Sequence, residues 1–197
     1  MKPVRIFLWA LVALALVGLG MLLLRQSPPT TPQASTTLAK LGGPFTLTGA
    51  DGQSFSSGKL AGKPYAIFFG FTHCPDVCPT TLARMVRLRT QLAKGPEPFN
   101  IVFVSVDPER DGPKELAGYV ALFGAPVVGL TGTPAQIAQV KKQFGIFSEK
   151  VPDAAGGYTV DHTSTVLLFD REGQFVSTIS PDEADSAAID KLKRIIG

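Results

Sequence analysis

The chain has 197 residues, of which 45% are hydrophobic and 18% charged, enough for one globular domain of ordinary size plus a short accessory segment. Its 20 Gly and 16 Pro follow no repeat period, which excludes collagen-like, low-complexity and solenoid architectures. The net charge of +3 comes from Lys2, Arg5 and Arg25 alone, because acids and bases balance from residue 39 onward. The folded part therefore lacks the basic excess with which a nucleic-acid binder neutralises phosphates.

Ile6 to Leu24 is an uninterrupted apolar or small-residue run with no charge. As a helix it reaches ~28 Å, about the hydrocarbon thickness of a bilayer. A cleaved signal peptide is shorter and closes on a small-x-small site, whereas this run ends in Met21-Leu22-Leu23-Leu24-Arg25. Residues 1–25 are expected to form an uncleaved single-pass membrane anchor. Lys2 and Arg5 on one flank against Arg25 on the other put the N-terminus in the cytoplasm and the domain outside. Residues 26–38 are polar and Pro-rich, as in an extended tether, and residues 39–197 form the domain. No Arg- and Ser-rich transit pattern precedes the apolar run, so the expected location is a bacterial inner membrane with the domain in the periplasm.

Within the domain, Phe45 to Thr48, the turn Asp51-Gly52 and Phe55 read as a short hairpin. Tyr65 to Phe71 follows as a buried central strand. Leu82, Met85, Leu88 and Leu92 recur at helical spacing, predicting a helix over 78–94 with Arg84, Arg87 and Arg89 along a solvated edge. Asn100 to Val106 is a second strand, and the charged turn Asp107 to Asp111 leads to a helix behind Pro113 bearing Leu116, Tyr119, Val120 and Phe123. That turn is readable as helix-entry chemistry or as a docking element. A short strand at Val127 to Leu130 precedes Thr133-Pro134-Ala135-Gln136, a capping box that opens a helix ended by Gly145. Thr165 to Phe169 and Gln174 to Ser177 read as an antiparallel pair, and Ser180-Pro181-Asp182-Glu183 as the cap of a C-terminal helix with Ile189, Leu192 and Ile196 inward. The pattern predicts an α/β sandwich around a mixed central sheet, with thioredoxin-like topology, an N-terminal hairpin extension and a single N-terminal transmembrane helix. In such sheets chemistry gathers at the carboxyl ends of strands.

The two cysteines, Cys74 and Cys78, lie just past the carboxyl end of the central strand. Four residues apart, their sulfurs fall on one side of a helical turn, near enough to pair or to grip one metal ion. A merely structural disulfide here would close too small a loop to restrain the unfolded chain much. Two readings remain, a redox dithiol or a metal site with a third ligand. The three intervening residues differ from the two of thioredoxin-type oxidoreductases, and peroxidase chemistry is a nearer variant. Of the two histidines, His73 reads as a hydrogen-bonded structural residue, while His162 sits in a loop, Tyr158 to Thr163, beside the cysteine loop of a thioredoxin-like sheet. Asp161 adjoins it and reads either as a residue that orients the imidazole or, since successive residues on extended backbone point to opposite sides, as an ordinary loop residue; it is left out of the ligand set. Two thiolates and one imidazole suit copper(I), and with one more donor copper(II), whereas a structural zinc site wants four protein ligands.

The stretch Phe71-Thr72-His73-Cys74-Pro75-Asp76-Val77-Cys78-Pro79-Thr80-Thr81-Leu82 resembles the Sco/SenC family, membrane-anchored copper-binding proteins that assist assembly of the CuA site of cytochrome c oxidase. The resemblance extends to Asp51-Gly52, Ser105 to Asp111, Gly129 to Thr133 and Val160 to Thr163, in the same order. It implies a thioredoxin-like fold, copper ligands at Cys74, Cys78 and His162, and as partner the oxidase subunit that carries CuA. Copper binding and disulfide formation compete for the same sulfurs, so a thiol reductant and an upstream copper donor are further expected partners. The leading expectation is a membrane-tethered copper metallochaperone that passes its ion by ligand exchange. The rivals are a thiol-disulfide oxidoreductase acting on the cysteine pair of the oxidase copper site and a peroxidase-like enzyme.

Overall fold

In a computed structural model of the chain, the described residues are 41–92, 97–153 and 156–197, together with Trp9, Leu14 and Met21. The chain divides into two compact units, Met1–Ala34 and Ser35–Gly197. Trp9, Leu14 and Met21 are helical and exposed. The rest of the expected anchor and the tether lie outside the described residues, and among the described residues no helix is long and apolar enough to cross a membrane.

The second unit is built on a seven-stranded mixed sheet in the order β2-β1-β5-β4-β3-β8-β9. β3 (Tyr65–Gly70) and β4 (Asn100–Ser105) occupy its centre; every residue of β3 is buried, as are all of β4 beyond Asn100. Both are continuous apolar runs because helices cover both faces of the sheet. β4 pairs in parallel with β3 and with β5 (Val128–Thr131), while β8 (Val166–Phe169) runs antiparallel to β3 and to β9 (Phe175–Ile179). The expected N-terminal hairpin is present as β1 (Thr46–Gly49) and β2 (Ser54–Ser56), and β1 joins the sheet antiparallel to β5.

Three helices cover one face: α1 (Val77–Leu92), α2 (Pro113–Ala121) and α4 (Asp185–Ile196). Their Leu82, Met85, Leu88, Leu116, Ala188 and Leu192 pack with Phe68 and Phe103 of the central strands. α3 (Pro134–Phe144) covers the other, placing Ile137, Val140 and Phe144 against Ile67, Phe69 and Phe169. Aromatic rings fill this second layer; Tyr65 stacks on Phe169 at 4.7 Å, and Phe144 meets Phe45, Phe69 and Phe169. Thr133 and Gln136 form the reciprocal capping box expected of α3, and Gly145 ends the helix at φ 65°, a left-handed conformation that glycine adopts without steric cost.

Three local expectations are corrected. Ser180 to Glu183 does not open the C-terminal helix: these residues close a turn, Glu183 N donating to the Ser180 carbonyl, and α4 begins at Asp185 without a side-chain cap. The arginines of α1 are not a uniformly solvated edge. Arg84 reaches across to Asp185 (2.9 Å) and to the carbonyls of Ser180, Pro181 and Glu183, so the turn is spent on binding Arg84. Arg89 is buried, and burial lowers its pKa; Arg87 alone of the three is half exposed, paired with Asp185 at 2.7 Å. Finally, Tyr158–His162 is not a loop but strand β7, paired antiparallel with β6 (Ser148–Pro152) in a two-stranded sheet of its own.

Candidate metal centre

The carboxyl end of β3 delivers the chain into the cysteine loop, where Cys74 N donates to the Phe71 carbonyl before α1 begins at Val77. Cys78 is in the first turn of α1, where backbone N–H groups have no intrahelical partner. Its amide instead meets Cys74 Sγ at 3.4 Å, so the start of the helix faces the first sulfur. The Cys78 side chain is fully buried, packed against Gly70. A Cβ at position 70 would fall 2.7 Å from Cys78 Sγ and 2.9 Å from a Phe103 ring carbon, so a glycine there makes room for the sulfur.

His162 ends β7, opposite Ser148 in the hairpin register. Its Nδ1 lies 3.0 Å from the Thr163 carbonyl, which can only accept a hydrogen bond. That contact assigns the neutral-ring proton to Nδ1 and leaves the Nε2 lone pair directed at the sulfurs, 3.4 Å from Cys78 Sγ. Phe68 and Phe71 hold the ring edge-on, with centroids 6.1 and 5.8 Å away. The ligand atoms of Cys74, Cys78 and His162 all lie within 4.8 Å of one another. Cys74 is half-buried and Cys78 buried, and both are free thiols. Thus the structure brings together the three residues singled out from the sequence.

The two sulfurs share their protons unequally. Cys74 is lowered from 9.0 to about 4, chiefly because the Cys78 side chain hydrogen-bonds to it; burial works in the opposite sense, and the amides of Cys78 and Asp76 assist the lowering. Cys78 is pushed up by the same bond to Cys74 and by burial. The pair therefore stands as one thiolate and one thiol, a nucleophile at the accessible position with a proton held behind it. Binding a soft metal through both sulfurs releases that remaining proton.

His73 does not join the cluster. Its side chain is 54% exposed, and its Nδ1 contacts Thr72 Oγ1 at 3.1 Å and Asp111 at 3.6 Å. Asp161 is exposed on the other side of β7, as strand alternation requires.

Sequence reasoning missed the residues behind the site. Asp107 and Asp111 have no exposed surface. Asp111 accepts from Thr72 N (2.9 Å), Thr72 Oγ1 (2.6 Å) and Ser105 Oγ (2.6 Å). Asp107 accepts from Arg110 Nε and from Tyr158 Oη at 3.0 Å, while Arg110 Nη1 donates to the Tyr158 carbonyl at 2.9 Å. A charged turn at the carboxyl end of a strand adjacent to the cysteine strand was the available signal for the acids. Tyr158 carried none.

Residues 33–197 match the model of the SCO1/SenC family. An SCO2-like protein of Rickettsia prowazekii is 36% identical over 170 residues, covering 82% of this chain and 83% of its own. The structure of Bradyrhizobium japonicum ScoI with copper bound is 42% identical with a TM-score of 0.71, covering 79% of this chain and 99% of that one. BsSco, a member of the Sco family of cytochrome c oxidase assembly proteins in which a disulfide switch was identified, is 27% identical with a TM-score of 0.62, covering 81% of this chain and 95% of that one. The fold is accordingly thioredoxin-like, and with motif order, fold and the cysteine–histidine cluster all in agreement, the chain belongs to the SCO1/SenC family.

Proposed function

We propose that the chain is a copper metallochaperone that binds one copper ion through Cys74, Cys78 and His162 and assists assembly of the CuA site of cytochrome c oxidase. The observation that carries this reading is the donor set itself: two sulfurs and an imidazole nitrogen within 4.8 Å of one another, one sulfur accessible. Two thiolates and an imidazole are a soft, low-coordinate set suited to copper(I), and a fourth donor would admit copper(II). A structural zinc site wants four protein ligands, and this cluster among the described residues supplies three. Copper bound in the related ScoI and oxidase assembly in the family of BsSco support the same assignment. The chain's own residues hold the metal, orient the imidazole through Nδ1 and leave Cys74 open to an incoming ligand. The partner is the oxidase subunit that carries CuA, with an upstream copper donor and a thiol reductant completing the cycle.

Anaerobic titration of the reduced chain with copper(I) tests the reading. About one tightly held copper per chain is expected, with a large loss of affinity in His162→Ala. Unchanged affinity in that variant overturns it. A second reading, a thiol-disulfide oxidoreductase for the target's cysteine pair, is favoured by the lowered Cys74 and by the switch identified in BsSco. It predicts disulfide exchange that survives His162→Ala. Peroxide consumption with thiol recycling would instead indicate the peroxidase alternative.

The proposed organisation is a membrane anchor in residues 1–25, a tether in 26–38 and the copper-binding domain in 39–197. Exposed apolar Trp9, Leu14 and Met21 on helical backbone support the anchor, and the flanking Lys2 and Arg5 support a bacterial inner-membrane location with the domain in the periplasm. Extraction of the chain from membranes by alkaline carbonate would contradict it.

A further inference from the structure

The two halves of the centre arrive on separate pieces of the fold. Cys78 and His162 are 84 residues apart, and the hairpin that carries His162 shares no strand ladder with the seven-stranded sheet that carries the cysteines. Sheet hydrogen bonds therefore do not determine the distance between the imidazole and the sulfurs. Val160 in the core, the rings of Phe68 and Phe71 and the short run into β8 bring the hairpin near, and the polar side-chain bonds that reach both pieces converge on one five-residue turn.

Parallel pairing of β3 with β4 sets Gly70 opposite Ser105, so the turn after β4 emerges beside the cysteine loop. From that turn Asp111 binds the loop through the Thr72 amide and hydroxyl. From the same turn Asp107 binds the Tyr158 hydroxyl, and Arg110 binds the Tyr158 carbonyl while lying over its ring at 3.8 Å. Burying two carboxylates is costly unless each is fully bonded. Here, beside the local bonds from Arg110 and Ser105, the carboxylates reach partners 39 and 51 residues away.

We infer that the turn Asp107–Asp111 is the positioning element of the metal centre, holding the histidine hairpin through Tyr158 and the cysteine loop through Thr72. It acts on the metal only through His162 and Cys74; neither carboxylate belongs to the ligand cluster. This inference rests on the copper reading above. Removal of a side chain that orients a metal ligand typically weakens binding by about 10- to 100-fold.

The test uses the full reduced chain and copper(I) under anaerobic competition with a chromophoric chelator. Tyr158→Phe keeps the ring over Arg110 and deletes the hydroxyl that Asp107 holds. Expected are about tenfold or greater loss of copper affinity, a diminished nitrogen-ligand signature in X-ray absorption, and a metal-free unfolding midpoint close to that of the parent. Because Tyr158 acts through the imidazole, Tyr158→Phe should cost nothing further in a His162→Ala background. Thr72→Val, acting through the sulfurs, should weaken copper in both backgrounds. Parent-like affinity in Tyr158→Phe, or a loss that adds in full to that of His162→Ala, overturns the histidine half. Parent-like affinity in Thr72→Val overturns the cysteine half. If His162→Ala itself binds copper as the parent does, it is the copper reading that fails, and the inference falls with it.

Discussion

The cysteine side and the histidine side of the centre are held by different physics. Cys74 and Cys78 follow a strand with no exposed residue and open a helix whose Leu82, Met85 and Leu88 are buried in the core. His162 belongs to a two-stranded hairpin in which Val160 is the one buried residue among its described positions, and side-chain bonds to the Asp107–Asp111 turn tie it down. Packing in a core is collective and stiff, whereas a few polar bonds at a surface are local and separable. The contrast teaches that the sulfurs are preorganised by folding itself, and that the third donor is the one whose position can be altered without unfolding the domain.

The contrast can be broken most forcefully in the core. Phe68 is almost fully buried between Phe103 and His162, and Phe68→Ala should cost about 3–5 kcal/mol in urea unfolding. A cost comparable to that of an exposed substitution would show that the cysteine side is not the rigid half. Gly70→Ala comes next: its Cβ would press on Cys78 Sγ and the Phe103 ring, so a destabilisation of about 1–3 kcal/mol is expected together with weaker metal binding. Parent-like stability and binding would mean that the sulfur has room the packing denies.

Native-state hydrogen exchange sharpens the comparison with less disturbance. Amides of β3 and β4 should exchange only through global unfolding, and those of β6 and β7 through a cheaper local opening. Equal protection in both would erase the distinction. The gentlest probe is Cys74 itself. With its pKa lowered to about 4, alkylation by iodoacetamide should stay nearly flat from about pH 8 to about pH 5 and decline only near 4, whereas an ordinary thiol slows about tenfold per unit below its pKa. The stability Cys74 contributes is complete above its unfolded value of 9.0 and is lost as pH falls toward 4. Cys78, shifted upward, contributes in the opposite sense and loses its share as pH rises above the normal thiol range.

Much of the fold was legible because local patterns and tertiary context agree. The run Tyr65 to Phe71, the leucine spacing of α1 and the capping box at Thr133 each became the predicted element. Where they disagreed, a partner distant in sequence had intervened. The cap pattern at Ser180 was overridden by Arg84, and the strand character of Tyr158–His162 depends on pairing with Ser148–Pro152, a stretch whose charged residues carry no clear strand signal.

By itself the sequence determined the chemistry available: two thiols one helical turn apart at a strand's end, and one histidine in a motif of its own. Only the tertiary structure decided that the imidazole meets the sulfurs, which of its nitrogens faces them, and that Asp107 and Asp111 are buried and bonded to Tyr158 and Thr72 rather than spent on helix entry. Residue type and spacing along a chain set what a side chain can bond to, but the distance between segments 84 residues apart is a property of packing, which no local pattern encodes.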